Sequence, residues 1–149
     1  MRERLDKLAE SLLQPINPSL IIVLGLYTIL WGLWVVNPFW TVFTQAGLYS
    51  ALAMSGGEYI WGGLVLAAGV LITRGAVKPS YDNLILGSGV GFLTWLVVGI
   101  FYILGDWAST GGITAIAFSV YCLLIYLNIK VNKTYFKAKT RRYLALRKQ

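Results

Sequence analysis

Four long stretches of this chain carry almost nothing that water would solvate. Residues 19–36 run from Ser19 to Val36 without a charge. Residues 58–73 open on Glu58 and reach Thr73, residues 83–104 run from Asn83 to Leu104, and residues 113–129 from Ile113 to Ile129. About 20 apolar residues in helical form cross the roughly 30 Å hydrocarbon core of a bilayer. A membrane strand needs only about 10 residues of alternating polarity, whereas these runs are longer and apolar on every face. In hydrocarbon a helix satisfies its own backbone hydrogen bonds. The pattern therefore predicts an all-α polytopic membrane protein: one membrane domain over 1–149 (first to last residue), built on a four-transmembrane-helix bundle. Trp31 and Trp34 mark the outer end of the first span.

The segments between the spans have their own patterns. In residues 1–14, Leu5, Leu8, Leu12 and Leu13 recur at helical spacing with charges on the other face. This predicts an amphipathic helix lying on the membrane surface. Pro15 and Pro18 are read as ending it and turning the chain into the bilayer. A basic start before an apolar run is also the shape of a signal peptide. The length of the run 19–36, with no small-residue cleavage site directly after it, favours a retained span.

Asn37-Pro38 reads as a helix cap followed by proline in the first turn. The segment 38–54 is apolar but broken by Thr41, Thr44, Gln45 and Ser50. Two readings compete: an outer interfacial or re-entrant helix opening with Phe39, Trp40 and Phe43, or a further span. Ser55-Gly56-Gly57 reads as a turn. Residues 74–82 and 105–112 read as loops, and 130–149 as a basic helical tail.

Charge orders these pieces. Of the 13 Lys and Arg, Arg2, Arg4 and Lys7 precede the first span, Arg74 and Lys78 lie in the loop 74–82, and the rest lie in the tail. Segments 37–58 and 105–112 carry none. This strict alternation matches four crossings with both termini cytoplasmic, in a bacterial or viral-host inner membrane. A fifth crossing by 38–54 would break it, so that segment is placed outside. In the tail, Lys133, Lys137, Lys139, Arg141, Arg142, Arg147 and Lys148 are interleaved with Tyr135, Phe136, Tyr143, Leu144 and Leu146. Each cation near an anionic leaflet contributes about 1 kcal/mol, so lipid headgroups are the expected partner. An acidic protein is the competing one. Nucleic acid is the weakest reading, because a basic run alone does not specify it.

Composition narrows the chemistry. The chain is 57% hydrophobic and 13% charged, against about 25% charged in soluble proteins. There is no His and a single Cys, Cys122, so an internal disulfide and a His/Cys zinc site are excluded. The commonest general base is missing. The acids Glu3, Asp6, Glu10, Glu58, Asp82 and Asp106 lie in the N-terminal segment or at span ends. Proton- or ion-coupled transporters keep an ionisable group inside the bilayer. The expectation is a protein that is no enzyme, with no catalytic residues, metal or cofactor. Glu58, before Tyr59, Ile60 and Trp61, sits where the helix dipole favours an acid. Together with Trp40, Phe43, Trp61, Asp106 and Trp107 it forms the expected outer-side interface. Asn128 is read as interfacial at the inner end of the fourth span.

Small residues supply the remaining pattern. Gly87, Gly91 and Gly99 fall on one face of the third span, with Trp95 at the intervening step. The second span offers Gly62, Gly63, Ala67, Ala68 and Gly69, and the first Gly25 and Gly32. Small residues let membrane helices approach closely, within a chain or between chains. The layout (short, multi-span, basic at the end) resembles that of small phage-encoded membrane proteins, including holins, in architecture alone. The function expected is a non-enzymatic membrane subunit that assembles with itself or with other membrane proteins through these faces. The competing function is a holin-like pore or small channel, whose water-lining stripe would draw on Thr28, Ser88, Thr94, Thr114 and Ser119.

Overall fold

The computed structural model describes residues 16–39, 56–105, 110–134, 137 and 145. Among them every regular element is an α-helix: α1 (Pro18–Val35), α2 (Gly57–Val77), α3 (Tyr81–Gly105) and α4 (Thr110–Val131). All four are long and apolar enough to cross a membrane. Even α1, at 18 residues, is about 27 Å long at 1.5 Å per residue. The expected N-terminal amphipathic helix, the outer segment from Trp40 onward and most of the tail lie outside the described residues.

Each helix boundary has a local cause. Pro18 occupies the first turn of α1; the helix that it and Pro15 are read as ending lies outside the described residues. The missing proline N–H costs nothing in that first turn and the fixed φ suits the helix. The Asn17 side chain caps this end by accepting from the Ser19 N–H at 2.9 Å. Gly56 and Gly57 enter α2 with φ of +142° and +73°, values a β-carbon would disfavour.

α2 runs one turn past the expected end at Thr73, through Arg74 to Val77. A charge ends an apolar run but does not end a helix. What stops α2 is Pro79: the residue before it, Lys78, is forced into extended backbone at φ −111°, ψ 91°. The expected loop 74–82 shrinks accordingly to Lys78, Pro79 and Ser80. The Ser80 N–H donates back to the Gly75 carbonyl at 3.1 Å, and its Oγ accepts from the Asn83 N–H at 3.4 Å. α3 therefore begins at Tyr81 rather than Asn83. α4 begins at Thr110, before the expected Ile113. Gly111 and Gly112, read as loop, belong to the helix, and Gly112 is buried against Ile103 and Tyr102 of α3.

The helices pack in chain order, α1 on α2, α2 on α3 and α3 on α4, each antiparallel to the one before. Small and medium residues fill the interior: Val65, Ala68, Ile72, Val98, Cys122 and Ile125 have no exposed surface. Larger aliphatics such as Leu20, Val23, Leu30, Leu86 and Leu93 face outward. Lipid is as apolar as leucine, so burial gains little, and association rests on close packing instead.

Candidate functional site

Three seams join the bundle through glycine. In the first, Gly25 and Gly32 of α1 pair with Gly69 and Gly62 of α2. A β-carbon on Gly32 would lie 2.8 Å from the Leu66 N and 2.9 Å from the Gly62 O, and one on Gly69 would lie 2.7 Å from the Ile29 N. These neighbours are backbone, so the two helices touch main chain to main chain, repeating every seven residues on both partners. The Thr73 hydroxyl rests on Gly25, and among the described residues it has no hydrogen-bond partner.

In the second seam, a β-carbon on Gly87 of α3 would lie 2.8 Å from the Ile72 N and 3.1 Å from the Ala68 O, while Gly75 of α2 receives Leu84. In the third, Gly99 of α3 accommodates Ile116, and a β-carbon on Gly91 would lie 3.1 Å from the Cys122 sulfur. Ser119 of α4 donates to the Phe92 carbonyl of α3 at 3.0 Å. Such interhelical bonds in membranes are worth about 0.6 kcal/mol on average.

α1 meets α3 and α4 differently, through rings. Tyr27 stacks on Phe118 of α4 with centroids 4.4 Å apart. Trp31 tilts against Trp95 of α3 at 5.0 Å, and Trp95 against Phe118 at 5.4 Å. Trp95 is 2% exposed. Among the described residues its indole N–H has no hydrogen-bond partner. Trp31, read as an interfacial marker, is thus a packing residue, while Trp34 stays exposed at 57%. Between α1 and α4 this aromatic spacing leaves an open groove of about 550 Å³, floored by Leu24 and Tyr27 on one side and Ala117 and Tyr121 on the other.

The other residues singled out in the sequence separate into two sets. Gly62, Gly87, Gly91 and Gly99 face neighbouring helices of the same chain. Gly63 has open space where its β-carbon would be, and Ala67 is exposed. Both lie on the outward side of α2, so they take no part in the seams of this chain. Of the five hydroxyls offered as a pore stripe, Thr28, Ser88, Thr94 and Ser119 are buried within the bundle. The first three donate to the carbonyl one turn back: Leu24 at 2.8 Å, Leu84 at 2.6 Å and Val90 at 2.8 Å. Thr114 alone of the five is exposed, and it donates to the Thr110 carbonyl at 2.8 Å. The Asn128 side chain lies inside the bundle. It is 1% exposed, because it falls in step with the buried stripe Ser119, Cys122 and Ile125. Trp61 turns inward, edge-on to Phe101 at 6.3 Å, and Glu58 lies in the first turn of α2. Trp40, Phe43, Asp106, Trp107, Lys139, Arg141, Arg142, Arg147 and Lys148 lie outside the described residues.

Charge concentrates at one end of the bundle. Arg74 lies in the last turn of α2, Lys78 follows that helix, and Lys130 lies in the last turn of α4. Lys133 and Lys137 lie beyond it and are exposed. The Lys130 Nζ sits 5.4 Å over the Tyr126 ring, and the Lys137 Nζ 5.5 Å over the Tyr81 ring at the start of α3. The opposite end, from Trp34 to Phe39, at Gly56 to Glu58, at Gly105 and at Thr110, carries no Lys or Arg among the described residues. No group of three or more His, Cys, Asp or Glu able to hold a metal occurs among the described residues.

Comparison with protein-family models, with curated proteins and with solved structures finds no match. The class rests on the fold itself: an all-helical bundle with four candidate membrane-spanning helices.

Proposed function

We propose that this chain is a non-enzymatic integral membrane subunit. It assembles with copies of itself or with other membrane proteins, and its lysine-bearing end docks on the anionic headgroups of the cytoplasmic leaflet. Both termini then lie in the cytoplasm of a bacterial or viral-host inner membrane. The observation that carries this reading is the charge segregation. Arg74, Lys78, Lys130, Lys133 and Lys137 share the end where α2 closes and α3 opens, as the positive-inside rule places cytoplasmic loops. The buried hydroxyls of Thr28, Ser88, Thr94 and Ser119 support a packing role over a chemical one, since each donates to a backbone carbonyl. Gly87, Gly91 and Gly99 are used within the chain. Of the small residues named for assembly, Gly63 and Ala67 remain, on the outward side of α2.

Expression in a bacterium tests this against the pore. The expected result is harmless accumulation in the membrane as a discrete oligomer or hetero-complex, seen as a mass above that of the 16.5 kDa chain after detergent purification. Rapid dye leakage with loss of membrane potential would instead support a holin-like pore. Four of its five candidate lining hydroxyls would then have to turn out of the interior.

A further inference from the structure

α3 and α4 leave a second groove, of about 570 Å³, between Ile85, Leu86, Gly89 and Leu93 on α3 and Leu123 and Tyr126 on α4. It opens to the exterior, where Leu86 and Leu93 are more than half exposed. Gly89 keeps it deep. The seam glycines Gly87 and Gly99 meet a neighbouring helix, but a β-carbon on Gly89 would meet only the Tyr126 ring, at 3.6 Å. From Ile85 to Leu93 the groove runs about 12 Å at 1.5 Å per residue, close to the roughly 15 Å depth of one leaflet.

The face of α4 that walls this groove continues as lysine. At 100° per residue, Leu123, Tyr126, Lys130 and Lys133 fall on one side of the helix. The Asn132 N–H still donates to the Asn128 carbonyl at 2.9 Å, so the helical path is kept beyond Lys130. Lys130 stands over Tyr126, a groove residue, and Lys137 stands over Tyr81, one turn before Ile85. The acid at this mouth among the described residues is Asp82, in the first turn of α3; three ammonium groups outnumber it. Apolar walls of leaflet depth below and cations at the mouth match the two halves of one kind of molecule.

We infer that the α3–α4 groove binds one anionic phospholipid, with an acyl chain against Gly89 and Tyr126 and the phosphate at Lys130 and Lys133. The inference rests on the reading of the lysine end as a headgroup-docking surface and gives that surface a defined ligand. The full chain, purified in detergent, would be titrated with dioleoyl phosphatidylglycerol or dioleoyl phosphatidylcholine and read by native mass spectrometry. The wild-type protein is expected to take up one phosphatidylglycerol in preference to phosphatidylcholine. The double variant Lys130→Gln, Lys133→Gln loses that preference, roughly fivefold for each lysine. Gly89→Leu and Leu86→Trp, which fill the groove from its floor and its rim, lose the tight adduct of either lipid. Leu86 is exposed, so its variant decides the matter even should Gly89→Leu fail to fold. Groove variants that both bind like wild type overturn the groove site and leave headgroup docking standing. A wild-type protein that holds the two lipids equally overturns both.

Discussion

Replacing Gly32 with leucine is expected to unseat α1 from α2. A β-carbon there lies 2.8 Å from the Leu66 N and 2.9 Å from both the Gly62 O and the Leu66 Cα. Backbone atoms cannot step aside as a side-chain tip would. The helices must part, and the Gly25–Gly69 contact two turns away on the same seam parts with them. Forcing methylenes into a filled interior typically costs about 1–3 kcal/mol. Against two rigid backbones, Gly32→Leu is expected at or above about 3 kcal/mol. Reversible unfolding in mixed micelles reads this directly. The control is Gly63→Ala, which meets nothing within 4 Å. It is expected to be neutral or to stabilise α2 by up to about 1 kcal/mol through helix propensity. Should Gly63→Ala unfold the protein and Gly32→Leu leave it unchanged, the α1–α2 seam is misplaced.

Trp95→Ala is the second large loss. Its ring lies within 5.0–6.2 Å, centroid to centroid, of Trp31, Phe118 and Tyr27, so it joins α1, α3 and α4 at one point. In soluble proteins such a truncation costs about 3–5 kcal/mol. Here lipid supplies little of the transfer term, and what is lost is dispersion contact and the cavity left behind. The expected cost is about 3 kcal/mol, at the low end of that range. Trp95→Phe separates shape from polarity. Because the indole N–H has no partner among the described residues, phenylalanine strands no acceptor, and a cost of about 1 kcal/mol is expected from the smaller ring alone. A phenylalanine variant as damaged as the alanine one would mean that the indole N–H holds a bond of its own. The same unfolding assay reports both.

The four spans were legible because each is a charge-free apolar run of membrane length, and nothing in water would stabilise that. Their ends were less so. Arg74 looked like a loop residue because hydropathy falls there, yet the helix needs only backbone partners and continues until Pro79 removes the option. The glycine faces were legible in outline only. Spacing puts Gly87, Gly91 and Gly99 on one side of α3, but it cannot say that Gly63 and Ala67, one residue from Gly62 and Ala68, look outward. That depends on which way α2 is rotated against α1 and α3. The hydroxyls misled for a related reason. Thr28 and Ser88 satisfy themselves on their own helix, so their polarity carries no information about water. The aromatic cluster was hidden because tryptophan near a span end reads equally well as a headgroup anchor or, like Trp31 on Trp95, as a wedge between helices.

Three helices separate Phe39 from Lys133, and the proposed orientation puts the lysine end in the cytoplasm. Single cysteines at these two exposed positions, in a Cys122→Ser background, would be probed with a membrane-impermeant maleimide. The Phe39 position is expected to react in intact spheroplasts and the Lys133 position only after the membrane is opened. Labelling of both positions from the same side, or of Lys133 alone from outside, would contradict this arrangement.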